Sequence, residues 1–266
     1  MKIVVLVKEA PDTYGERTLS LETGLADREA SDRVLDEIVE RALEFAIAYA
    51  EKNEGTEVVA LSMATDAASA SVRKALAMGA DRAVLVADEA LAGADVSLTA
   101  EVLAAALTHI GFDLVVGGDQ STDGAGGVIP AALAELLDIA QMTKLASIEL
   151  TDTTVTGTRA TDRVTTHLRA DLPAIISVTE RFAEARFPNF KGIMSAKKKP
   201  FEVLTLADLA GGSDNGAGTT IDVLAAPRAI MTGISAKPAR AAGVKIVDDG
   251  DAGTQLAEFL KKNQLV

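Results

Sequence analysis

The chain has 266 residues, a formal net charge of −13 and no cysteine, which excludes disulfides, thiolate metal sites, iron–sulfur ligation and a cysteine nucleophile. Its two histidines, His109 and His167, lie far apart and leave little for a zinc site or a serine–histidine triad, and the acidity weighs against nucleic acid. Hydrophobic residues make up 48% and aromatics only 3%, a composition for closely packed helices on a Val-rich sheet.

The run Ile3 to Val7 predicts a strand buried on both faces. It is too short for a signal peptide, and no stretch approaches the ~20 apolar residues that span a bilayer, so a cytoplasmic protein without membrane insertion is expected. A polar stretch over 9–33 follows. Leu35, Ile38, Val39, Leu43 and Ile47 then recur at helical spacing within 34–52. Residues 58–61 read as a second strand. Thr65 and Asp66 offer N-caps to a helix that runs through Met78 and closes at Gly79. A third strand at 83–86, a helix over 95–110 closed by Gly111 and a fourth strand at 114–116 complete the pattern. Short strands alternating with helices define βαβ units, hence an open parallel, Rossmann-like α/β sheet with helices on both faces. The two histidines fall in helix and strand patterns and read as structural.

The pattern changes after 140. Segments 145–150, 154–158, 163–168 and 174–178 read as antiparallel hairpin strands added to the sheet. Residues 181–200 read as irregular and basic. From 210 to 237 small and polar residues accumulate without periodicity, as in an extended arm too poor in apolar residues to form a core. A short amphipathic helix is expected at 256–260. This divides the chain into an α/β domain over 1–200 and a partner-wrapping arm with a C-terminal helix over 201–266.

The fourth strand runs into Gly117-Gly118-Asp119-Gln120-Ser121-Thr122-Asp123-Gly124-Ala125-Gly126-Gly127, with a helix following from about Ile129. Strand, glycine-bearing loop and helix N-terminus make an anion site, because bare backbone N–H groups and the helix dipole both favour negative charge. An ordinary flexible βα loop is the other reading of the same glycines. The loop is neither the GxGxxG fingerprint nor a Walker loop.

Three further segments surround it: Lys8-Glu9-Ala10-Pro11-Asp12 after the first strand, Arg73-Lys74-Ala75-Leu76-Ala77-Met78-Gly79-Ala80-Asp81 at the end of the second helix, and Ile193-Met194-Ser195-Ala196-Lys197-Lys198-Lys199 after Arg186-Phe187-Pro188-Asn189-Phe190. In this order the chain resembles, over essentially its whole length, the beta subunit of electron transfer flavoprotein. The resemblance implies a heterodimer whose alpha subunit holds most of FAD, with AMP, or a second FAD, in the smaller subunit. It places the nucleotide against Lys8, Asp36, Met63 and the loop Asp119, Gln120, Ser121, Thr122, Asp123, Gly124, Ala125, Gly126, Gly127 and Val128. Relatives often carry threonines where this chain has Gly126 and Val128, so backbone N–H groups are left to hold the phosphate. Tyr14 and Ile38 are the residues expected to face the flavin.

By the same resemblance, 183–196 is a recognition loop for flavin dehydrogenases of the acyl-CoA dehydrogenase type, with Phe190 as apolar anchor and Arg186, Ile193 and Met194 around it. An aromatic there offers large area at low entropy cost, although it can equally pack on its own domain. A quinone-reducing oxidoreductase is the expected acceptor. The run Lys197-Lys198-Lys199 reads as a solvated face or as a steering patch for acidic dehydrogenases. The chain itself offers no nucleophile, general acid–base pair or metal cluster, so it reads as a carrier subunit and not an enzyme. The alternative is a free-standing adenine-nucleotide-binding module of the stress-protein or ATP pyrophosphatase type.

Overall fold

The structure is a computed structural model that describes residues 1–209, 229–240 and 242–266. In chain order the elements are β1 (Lys2–Leu6), β2 (Glu9–Pro11), β3 (Arg33–Leu35), α1 (Glu37–Ala50), β4 (Glu57–Met63), α2 (Ser69–Met78), β5 (Arg82–Val86), α3 (Val96–Ile110), β6 (Leu114–Gly118), α4 (Ile129–Leu137), β7 (Ala140–Leu145), β8 (Ser147–Leu150), β9 (Thr154–Ala160), β10 (Thr165–Asp171), β11 (Ala174–Val178), α5 (Phe190–Ala196), β12 (Phe201–Leu204), α6 (Leu206–Leu209) and α7 (Ala252–Lys262).

Seven strands form one parallel sheet in the order β12-β5-β4-β1-β6-β11-β7. The expected α/β fold is therefore what the chain adopts. Alternation along each strand sorts side chains between two cores. Ile3 and Val5 join Val39, Leu43 and Leu76 under α1 and α2, whereas Val4 joins Val102, Leu107 and Leu133 under α3 and α4. From β1 the chain builds outward through β4 and β5 on one side and β6 on the other, so the strand order reverses between β1 and β6. In open α/β sheets the crevice beyond the carboxyl ends at that reversal is where ligands bind.

Helix ends follow the expected chemistry. Asp36 and Asp95 cap α1 and α3 by accepting from the N–H groups of Ile38 and Leu98, and Gly79 and Gly111 close α2 and α3. Thr65 makes no cap bond; a single 3₁₀ turn at Asp66–Ala68 leads into α2.

Four expectations need correction. Residues 174–178 are not a hairpin strand but β11, fully buried between β6 and β7, as its sequence Ala-Ile-Ile-Ser-Val allows. The hairpin strands β8, β9 and β10 form a separate three-stranded antiparallel sheet instead of widening the central one. The segment 181–200 is not irregular throughout, because Asn189 caps α5 by accepting from the Gly192 N–H. The central sheet does not stop at 200: β12 pairs with β5 at its edge.

The chain forms two compact units, Met1–Thr232 and Gly233–Val266. Of the expected arm over 210–237, residues 210–228 lie outside the described residues, and 229–237 carry no regular secondary structure. The C-terminal helix is longer than expected, spanning α7 with Leu256 and Phe259 exposed. Among the described residues, no helix is long and apolar enough to cross a membrane.

Candidate functional site

At the reversal, β1 delivers Lys8 and β6 delivers the loop 119–128. The two meet: Lys8 Nζ donates to Ser121 Oγ at 3.1 Å and to Asp123 Oδ1 at 2.6 Å. Arg28 Nη2 stands 3.6 Å from the other Asp123 oxygen. Burial opposes charge on Asp123, but the Lys8 hydrogen bond and charge, with Ser121 and the Gly124 N–H, outweigh it and hold the carboxyl down to about 2. Lys8 thus spends its charge on the loop itself.

Asp36 is fully buried and also holds the loop. Besides capping α1, its Oδ2 accepts from the N–H and the hydroxyl of Thr122, both at 2.7 Å. Arg17 adds bonds to the Thr122 carbonyl and hydroxyl. Asp36 is therefore an internal anchor of the loop, whose side-chain oxygens are occupied by its own chain.

These bonds use the N–H groups of Thr122 and Gly124, and that of Ala125 goes to the Ser121 carbonyl. Among the described residues, the N–H groups of Gly126, Gly127 and Val128 donate to no protein acceptor. They lead into α4, where Val128 holds the N-cap position without a side-chain cap. Gly127 has φ +65° and its missing Cβ would lie 3.3 Å from the Asp119 carbonyl, so only glycine suits the position. Gly126 faces open space. Asp119 is buried with Oδ1 unpartnered; burial, reinforced by Glu180 and opposed by Lys144, raises its carboxyl pKa. Met63 ends β4, one strand from β1, half-buried against the α3–α4 core.

Beside the loop lies a groove of about 310 Å³ lined by Glu37, Ile38, Arg41, Gln120, Thr122 and Ala125. Ile38 is buried there and packs on Gly118, where a Cβ would sit 3.0 Å from Ile38 Cγ2. Tyr14, by contrast, is 97% exposed.

The second region is 181–200. Arg186 turns inward: its guanidinium makes bonds of 2.7 and 2.9 Å to Glu44 and also grips Glu51, and its N–H reaches Glu44. The hydrogen bonds it donates to Glu51 and Glu44 raise its pKa. Arg186 clamps the segment to α1, with one-third of its side chain left exposed. Phe190, the first residue of α5, is 79% exposed, and Ile193 and Met194 are half-exposed beside it.

Of the lysine run, Lys199 is half-buried and turned inward. It donates to the Leu76 and Ala80 carbonyls at 3.1 and 2.6 Å and so closes the C-terminal end of α2. Gly192 lets α5 lie directly on α2, since a Cβ there would run into the Ala77 carbonyl. The Arg73–Asp81 and Ile193–Lys199 motifs are two halves of one packed unit.

Sequence reading missed Arg17 and Arg28, which brace the loop, and Phe187, which is 92% exposed. A second aromatic three residues before Phe190 was the available signal for Phe187. Glu44 on α1 and Glu51 at its C-cap, two turns apart, were the signal for the Arg186 clamp. Nothing in the sequence marked the two arginines, which lie far from the loop along the chain.

An all-parallel sheet with a braced, glycine-bearing loop and an uncapped helix at its strand-order reversal defines an open, Rossmann-like α/β protein. The electron transfer flavoprotein domain matches residues 23–209. The electron transfer flavoprotein beta subunits of Mycobacterium tuberculosis strain H37Rv and Mycobacterium leprae strain TN are 45% and 44% identical to the chain, with 99% of each sequence covered. That of Syntrophomonas wolfei is 33% identical, with 98% of this chain and 96% of the relative covered. The chain belongs to the electron transfer flavoprotein family, as a beta subunit.

Proposed function

We propose that this beta subunit pairs with a flavin-binding alpha subunit in the cytoplasm, holds AMP (or a second FAD) at the β6 loop, and presents 183–196 to flavin dehydrogenases that deliver electrons to the shared FAD. A quinone-reducing oxidoreductase then takes them on. The observation that carries the reading is the meeting of Lys8 and the 119–128 loop at the strand-order reversal, with three N–H groups in sequence left without protein acceptors.

The residues present fit a nucleotide phosphate. Gly126, Gly127 and Val128 offer donors at the positive end of α4, and bare Gly127 allows close approach. Lys8 adds charge only so far as it is released from Asp123. For the flavin this chain fits one side: the groove beside Ile38 and Thr122 is at the small end of the about 300–1,000 Å³ typical of ligand pockets. FAD, when bound, supplies the redox chemistry; the protein binds, orients and shields it. Membership over 99% of the chain's length sets the free-standing module aside.

Co-expression with the alpha subunit tests the reading. The expected product is a heterodimer on size exclusion with stoichiometric FAD. A chain that is monomeric alone and retains FAD stoichiometrically would overturn it.

A further inference from the structure

Between α2 and α5 runs an apolar groove of about 490 Å³, floored by Ala70 and Ala77 and walled by Phe187, Pro188, Ile193 and Ala196. Its outer wall is held in place, since Phe187 directly follows Arg186 and the clamp to Glu44 and Glu51. Its inner wall is held by the Gly192–Ala77 contact and by Lys199 at the end of α2. A groove braced from both sides keeps its shape without a ligand, which lowers the cost of filling it.

Its rim is cationic in a chain of net charge −13. Arg73 stacks over the Phe201 ring at 4.4 Å, and neither it nor Lys197, both of which line the groove, has a carboxylate within ion-pair distance among the described residues. Lys74 is paired with Glu40. Unpaired positive charge around an apolar slot matches an acidic surface that presents an apolar side chain.

We infer that the α2–α5 groove receives one apolar side chain from the acidic face of the docking flavin dehydrogenase, so that the contact is reciprocal: Phe190 anchors in the partner while the partner anchors in this chain. This rests on the reading of 183–196 as the docking segment. The groove sits beside Phe190 but not under it, so the two anchors are separately removable.

The test uses the purified heterodimer and an acyl-CoA dehydrogenase with its substrate, following flavin reduction against dehydrogenase concentration at two ionic strengths. Ala70 is exposed, so Ala70→Trp fills the groove from the solvent side without entering the core. It should raise KM for the dehydrogenase about tenfold, the effect of losing one anchor, with the rate at saturation, flavin content and melting temperature unchanged. Lys197→Glu should raise KM as well and reduce its salt dependence. If Phe190→Ala weakens docking and Ala70→Trp does not, the groove inference fails while the docking segment stands. If neither changes KM, both fail. If Ala70→Trp instead prevents assembly with the alpha subunit, the groove belongs to that contact and the inference is overturned.

Discussion

The β6 loop and the α2–α5 unit both lie beside the central sheet, yet they are built by opposite means. The loop is braced by charge: Lys8, Asp36, Arg17 and Arg28 converge on three consecutive loop residues, Ser121, Thr122 and Asp123. What it leaves open is backbone N–H. The α2–α5 unit is braced by close packing and by one arginine and one lysine turned inward, and what it leaves open is apolar surface and unpaired positive charge. The first arrangement suits a small anion, for which fixed dipoles give affinity at little reorganisation cost. The second suits a protein surface, where buried area and long-range attraction matter more.

If that contrast holds, the largest loss of stability comes from the loop's anchor. Asp36→Ala removes a helix cap and two charge-assisted bonds to Thr122 and should cost about 3 kcal/mol in chemical denaturation. Asp36→Asn keeps one acceptor and should lose less. An Asp36→Ala protein as stable as wild type would show that the loop does not depend on it.

Phe190→Ala should leave stability and the heterodimer's flavin spectrum unchanged while weakening docking of a dehydrogenase by about 1–3 kcal/mol, read as slower flavin reduction below saturation. An unchanged rate under those conditions would remove Phe190 from the interface. Arg186→Gln separates bracing from contact. It should cost about 1 kcal/mol of stability, discounted because Arg186 is one-third exposed, and should speed proteolysis within 183–189. Protease resistance equal to wild type would mean the clamp is idle.

Sequence patterns reached the loop far better than its bracing. Periodicity located α1 and α3, and the Gly-rich run after a Val-rich strand located the loop at the strand-order reversal, because these signals are local. Lys8 was legible through the resemblance. Arg17 and Arg28 were not, since they reach Thr122 and Asp123 across about a hundred residues of chain and carry no pattern. The Arg186 clamp was not legible either, because charge in a loop carries no sign of direction; only the fold brings Glu44 beneath it. β11 was read as a hairpin strand for a similar reason. A run such as Ala-Ile-Ile-Ser-Val is apolar on both faces, which indicates a central parallel strand, but it follows three short antiparallel strands and was grouped with them.

The smallest expected effect is the loop's response to acid. The Asp123 carboxyl is depressed from 3.8 to about 2, so its contribution to stability is complete above about pH 4 and is lost as pH falls through about 2. Lys8 is partly exposed, so salt should shrink the effect. The free energy of unfolding, measured from pH 5 down to pH 2, should fall more steeply for wild type than for Asp123→Asn. Parallel profiles would show that Lys8 and Arg28 do not hold the carboxyl in solution.

The central claim is that the free N–H groups leading into α4 hold a nucleotide phosphate, and nucleotide content tests it most directly. Heterodimers of wild type, Gly126→Thr and Gly127→Val are purified and denatured, and the released nucleotides are identified by mass and counted against FAD. AMP should appear with wild type and at least as fully with Gly126→Thr, whose side chain enters open space. It should be lost with Gly127→Val, where a branched residue meets φ +65° and the Asp119 carbonyl. Equal AMP in all three would place the phosphate elsewhere and contradict the account.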